Sequence, residues 1–234
     1  MTSDAIAFGL IWFVAFLFSS TCHEAAHAWA AKRGGDETAY ALGQVSLNPL
    51  PHIQREPFGM LIMPWLSYYM AGWMMGWASA PYDPYWARRH PRRAAWMALA
   101  GPAANFALVI VSAILIHIGL AAGAFRLSGH LSFENLVMGT SAGVGAGAAA
   151  FLSILFSLNL LLGAFNLLPL PPLDGFNVLG IFLPEGATLK LMNLRDSLGG
   201  MTMLGLLIAW RLFDYLFVPV FLAGAQLLYF PYLR

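Results

Sequence analysis

The chain has 234 residues, of which 59% are hydrophobic and 10% charged, with a formal net charge of +1. Ordinary soluble domains carry ~25% charged residues, so this composition marks an integral membrane protein, and the near-neutral balance gives no electrostatic basis for a nucleic-acid partner. One cysteine, Cys22, rules out an intrachain disulfide, and the length suits one all-α polytopic bundle over 1–234 with no further large soluble domain.

The first apolar run, about 5–33, is expected to be a retained helix: acidic Asp4 stands where a signal peptide would be positive. It contains His23-Glu24-Ala25-Ala26-His27 and ends at Lys32-Arg33. An ionisable side chain near the bilayer centre costs ~2.5 kcal/mol or more on insertion scales, so these residues need a function. On a helix the two imidazoles, four residues apart, share a face and can grip one Zn²⁺, while Glu24, one step round, can serve as general base on water. Cys22 points about 100° away from His23 and reads as packing.

Between Gly34 and Pro57, turn signals surround an alternating piece, Ala41–Leu47. This predicts one or two short β-strands at the cytoplasmic membrane surface, with an edge able to pair with an extended peptide. The next stretch, 58–80, is apolar but carries Gly59, Pro64, Gly72 and Gly76. A single crossing there would put Lys32-Arg33 and the cluster Arg88, Arg89, Arg92, Arg93 on opposite faces, against the positive-inside rule; a re-entrant hairpin keeps both cytoplasmic.

Further core helices are expected at about 94–122 and 143–168, and a C-terminal helical region at about 198–230. Gly139-Thr140-Ser141-Ala142-Gly143 matches a serine-hydrolase motif in letters only; at the head of a small-residue helix, with Gly143 and Gly147 at GxxxG spacing, it reads as helix packing. Arg211 and Asp214 read as a structural ion pair.

A catalytic zinc usually takes three protein ligands. Candidates for the third are His52, His90, His117, His130, Asp174 and Asp214. Asp174 follows Asn166-Leu-Leu-Pro169-Leu-Pro171-Pro172-Leu173 and precedes Gly175, and those prolines break the helix, opening a cavity into which a carboxylate can turn. An N-cap role for a helix over 175–182 is the competing assignment for Asp174.

Three separated motifs, His23–His27 as HEAAH, Ala100-Gly101-Pro102-Ala103-Ala104-Asn105, and Asn166 through Gly175, occur in the same order as in the site-2 protease family of intramembrane zinc metalloproteases, which the chain resembles up to about Leu183. The stretch Leu42–Gly59 is similar to compact prokaryotic members without PDZ or CBS modules, although 52–59 is two residues longer than their usual pattern and lacks its aspartate. The resemblance implies one Zn²⁺ per chain held by His23, His27 and Asp174, with Glu24 activating water. It also implies that Asn166, Pro169 and Pro171 help position an unwound substrate helix and that Asn105 stands close to the site. The expected function is cleavage of transmembrane or membrane-proximal segments of membrane-protein substrates in a prokaryotic cell membrane. Its rivals are a metal-ion carrier using the same ligands and an inactive binding scaffold.

Overall fold

The computed structural model describes residues 3–232, apart from the side chains at 3, 4, 202, 203 and 214. α1 (Ser3–Gly34) carries HEAAH past its midpoint, followed by the short helices α2 (Thr38–Ala41) and α3 (Leu50–Arg55). A π-helical turn, Phe58–Ile62, runs into α4 (Met63–Ala71), and an extended stretch then leads to α5 (Pro84–Arg89) and the long α6 (Pro91–Ala121). A hairpin of β1 (Phe125–Ser132) and β2 (Asn135–Gly139) joins α6 to α7 (Val144–Asn166). α8 (Asp174–Val178), α9 (Glu185–Leu198) and α10 (Thr202–Tyr229) complete the chain. Among the described residues four helices are long and apolar enough to cross a bilayer: Ala5–Gly34, Pro91–Ala121, Val144–Asn166 and Tyr215–Tyr232. The 23 residues of α7 rise about 35 Å, enough for a hydrocarbon core of ~30 Å.

α1, α6 and α7 pack on one another as the central three helices. Trp12 and Phe16 of α1 meet Ile154, Leu155 and Leu158 of α7 in one buried cluster, and Ile116 of α6 joins Phe156 and Leu160 of α7 in another. α1 stops in a Schellman motif: Gly35 adopts φ 97°, its N–H reaches Lys32 O at 3.1 Å, and Asp36 N–H reaches Ala31 O at 2.9 Å.

The β structure is not where the alternation of Ala41–Leu47 predicts it. Gly43 takes φ 72° and closes α2 with the same motif, Gly43 N–H to Tyr40 O and Gln44 N–H to Ala39 O, both 2.9 Å. A left-handed helix stop cannot continue a strand, and Ser46 Oγ and Asn48 Oδ1 then cap successive backbone N–H groups of the turn at 3.0 Å each. The two-stranded sheet lies instead at 125–139, antiparallel, pairing Phe125 with Gly139 and Leu127 with Val137. It packs on α7, where Ser153 Oγ accepts from Leu136 N–H and Val137 N–H, and its tip reaches α1 through a Trp12–Phe133 stack and a 2.8 Å bond from Trp12 Nε1 to Glu134.

The 58–80 segment folds back on itself as a hairpin. It descends as helix until Tyr68 Oη donates to Ala5 O at 3.0 Å, reverses at Gly72 (φ 80°), and returns extended through Trp73–Asp83. The legs touch at Gly59 and Gly76: Trp77 N–H donates to Gly59 O at 3.2 Å, and a Cβ at either glycine would strike the other leg's backbone carbonyl. At the base, Trp86 Nε1 and Arg93 Nη1 both donate to Gly34 O, at 3.0 and 3.1 Å, so the two basic clusters share one end of the bundle. Gly147 of the GxxxG pair faces Ile11 of α1 while Gly143 meets nothing within 4 Å, so only one of the two serves helix packing. The Arg211–Asp214 pair lies outside the described residues, because the Asp214 side chain is not among them.

Candidate metal centre

His23 and His27 lie on the face of α1 that meets α6, with their Nε2 atoms 3.0 Å apart. Asp174, the first residue of α8, sets Oδ2 at 3.2 Å from each Nε2. An ideal tetrahedral zinc with ~2.0–2.1 Å bonds separates its ligand atoms by roughly 3.3–3.4 Å, so the triangle is within a few tenths of an ångström of that spacing. Among the described residues these three form the group of His, Cys, Asp and Glu able to hold a metal.

The donors also have the right chemistry. His27 Nδ1 lies 2.8 Å from Met97 O, which can only accept, so the proton sits on Nδ1 and Nε2 keeps its lone pair. His23 Nδ1 lies 2.6 Å from Asn105 Oδ1. Gly101 of α6 faces the same point: a Cβ there would stand 2.6 Å from His23 Nε2 and closer still to His27 Nε2. The residues therefore fit a zinc ion, with two imidazoles, one carboxylate and a space that only glycine leaves open.

Asp174 reaches this place because α7 ends at Asn166 and the chain turns through Pro169, Pro171 and Pro172 before α8 begins. Leu173 occupies the N-cap without a side-chain bond, and the Asp174 carboxylate turns to the histidines. Gly175 permits the close return, since a Cβ there would collide with Leu167 O and Leu168 O at the end of α7.

His23, Glu24, His27 and Asp174 open onto a cavity of about 1100 Å³. Extended Trp73–Ala80 forms one wall, Phe165 and Asn166 of α7 another, and Leu191 and Arg195 of α9 with Trp210 of α10 close over it. Glu24, 7% exposed, lies in the lining beside His23 and His27. An Arg88–Asp196 ion pair of 2.6 Å ties α5 to α9 beside it.

A family model described as Peptidase family M50 matches residues 11–209. The chain belongs to peptidase family M50, the site-2 protease family. It is also 32% identical over 212 residues to a Bacillus subtilis (strain 168) protein named "Putative zinc metalloprotease YwhC", an alignment covering 90% of this chain and 85% of that one. No solved structure matches significantly. Membership of M50 makes the chain an integral membrane zinc metallopeptidase and decides against the metal-ion carrier.

Within this M50 chain the remaining histidines stand apart from the metal group. His52 is buried with Nε2 3.1 Å from Ser46 O, His90 packs against Trp86, His117 stacks on Tyr232, and His130 sits on β1. Cys22 is half-buried and free. Asn166 lines the cavity, whereas Pro169 and Pro171 do not; Pro172 and Leu173 take that place. The reason is the turn itself: it exposes Pro169 and sets the Pro171 carbonyl against Gly205 of α10. Asn105 is fully buried behind His23 and faces no substrate space. Ser141 is exposed on the turn between β2 and α7, and among the described residues it has no histidine or carboxylate hydrogen-bond partner. The sequence reading missed Gly101 and the extended wall, and only the Gly-Pro-x-x-Asn motif hinted at the first.

Proposed function

We propose that this chain is an intramembrane endopeptidase that cleaves transmembrane or membrane-proximal segments of protein substrates, with His23, His27 and Asp174 holding its zinc. One observation carries the reading: a His-His-Asp triangle, with Glu24 beside it, faces a cavity inside the bundle. A rise of ~1.5 Å per residue sets His27 and His23 about 9–15 Å inward from the Lys32–Arg33 boundary, below the bilayer surface.

Bound there, zinc supplies a Lewis acid that polarises a carbonyl and lowers the pKa of water toward ~7. Glu24 takes a proton from the attacking water and hands it to the leaving amine, general base and then general acid. Asn105 and Met97 O keep both imidazoles turned toward the metal. A substrate helix must unwind first, because its carbonyls are otherwise bonded within the helix. The extended Trp73–Ala80 wall supports this step, since an extended backbone beside the metal ligands can pair with an unwound segment by strand addition. Asn166 offers an amide elsewhere in the cavity lining. Because elements from α1 to α10 line one cavity, 1–234 acts as one catalytic domain in this reading.

The test is cleavage of a membrane-spanning substrate reconstituted with the purified chain, with and without zinc chelation. Zinc-dependent cuts inside or beside the spanning segment are expected. Cleavage confined to soluble unfolded peptides would overturn the intramembrane assignment.

A further inference from the structure

A polar chain leads from the metal centre across all three central helices and ends on backbone carbonyls. His23 Nδ1 lies 2.6 Å from Asn105 Oδ1, and Asn105 Nδ2 lies 2.8 Å from Asn159 Oδ1. Asn159 Nδ2 in turn reaches both Ser19 Oγ and Leu155 O at 2.8 Å, and Ser19 Oγ reaches Ala15 O at 2.6 Å. Ser19, Asn105 and Asn159 are each 0% exposed, and none of the three lines the cavity.

The terminal carbonyls give this chain a direction, because a carbonyl accepts and never donates. Leu155 O and Ser19 Oγ, whose own proton goes to Ala15 O, together take both hydrogens of the Asn159 amide. Asn159 Oδ1 is thereby fixed toward Asn105. Asn105 must answer with its nitrogen and so presents its oxygen to His23. An oxygen there requires the proton on His23 Nδ1, which leaves the Nε2 lone pair directed at the metal position. Turned the other way, the Asn105 amide would set its oxygen against that of Asn159 in a buried site, with neither satisfied.

We propose that Asn159 is a positioning residue of the metal centre: acting through Asn105, it selects the His23 tautomer that binds zinc. The proposal rests on His23 being a zinc ligand. A plain interhelical tether, the usual role of a polar residue between membrane helices, would leave zinc affinity indifferent to which end of Asn105 faces His23.

That difference can be read in a double-mutant cycle on the full-length chain in detergent, with the zinc Kd measured by competition against a chromophoric chelator. Asn159→Leu should weaken zinc binding about 10–100-fold, the usual loss when support behind a ligand is removed. In the Asn105→Asp background both carboxylate oxygens accept, no wrong orientation is left to exclude, and the same Asn159→Leu change should alter Kd by less than about 3-fold. Asn159→Ala, which removes the amide without adding an apolar branch, carries the same pair of expectations and replaces the leucine variant if that one does not accumulate. Equal losses in the two backgrounds, or no loss in the first, would overturn the proposal. A wild-type chain that binds no zinc would overturn it too, by removing the ligand assignment beneath it.

Discussion

Replacing Gly101 by alanine puts a methyl group at the point where the ligand atoms converge. The new carbon would lie 2.6 Å from His23 Nε2 and nearer to His27 Nε2, whereas non-bonded atoms settle at ~3.5–4.0 Å, so it is too close by about 1 Å or more. Gly101 is buried in a helix packed on α1, so relief comes from swinging the imidazoles away, against their Nδ1 bonds to Asn105 and Met97. Overpacking of this kind costs ~1–3 kcal/mol. Placed on the zinc-bound state, it corresponds to about 5–150-fold in Kd, and because the methyl also takes the metal's own space the expectation is ~100-fold or more. Gly119→Ala is the matched control: on the same helix a methyl would run into the Phe125 ring, far from the histidines. Chelator competition and thermal unfolding on both variants give the readout. Both should lose stability, and only Gly101→Ala should lose zinc. A Gly101→Ala protein with a zinc Kd within about 3-fold of wild type would refute the geometry.

Asp174→Ala should lose bound zinc along with activity, while His52→Ala keeps its zinc, by metal analysis of purified protein; the reverse pattern would make His52 the ligand and return Asp174 to helix capping. Ala78→Pro removes one backbone donor from the extended wall and should slow cleavage of a membrane-spanning substrate about 10-fold or more without changing zinc content, since an unmade hydrogen bond to a backbone group is worth ~1–3 kcal/mol; unchanged cleavage would exclude strand addition along Trp73–Ala80. Single cysteines at exposed Glu37 and Arg89, in a Cys22→Ser background, should react with an impermeant thiol reagent from the same side of sealed vesicles, and one at His130 from the other; opposite sides for the first two would contradict the re-entrant path.

Much of the site was legible in the sequence because its chemistry is local. HEAAH needs only helical periodicity to bring two imidazoles together, and the prolines after Asn166 signal a helix end before Asp174. What stayed hidden depends on non-local contact. Nothing in the letters around Gly101 says that its missing Cβ faces two histidines some 75 positions earlier, and Asn159 reads as one polar residue in an apolar helix until Asn105 is set opposite it. The alternation of Ala41–Leu47 is misleading because it runs through Gly43, whose left-handed backbone ends a helical turn. Conversely Trp73–Ala80 has no period-two pattern, and its extended form follows from the Gly72 reversal and from contact with Gly59 of the π-helical turn and Ser67 of α4.

In the proposed mechanism Glu24 performs proton transfer at a zinc site inside the bundle. Glu24→Gln, compared with wild type in one reconstituted preparation, tests it most directly, with zinc content and cleavage of a membrane-spanning substrate measured together. Glu24→Gln should keep wild-type zinc and lose cleavage by at least about 100-fold, since general base catalysis contributes ~10²–10⁴ and an amide cannot accept the proton. Cleavage at the wild-type rate with zinc in place would contradict it.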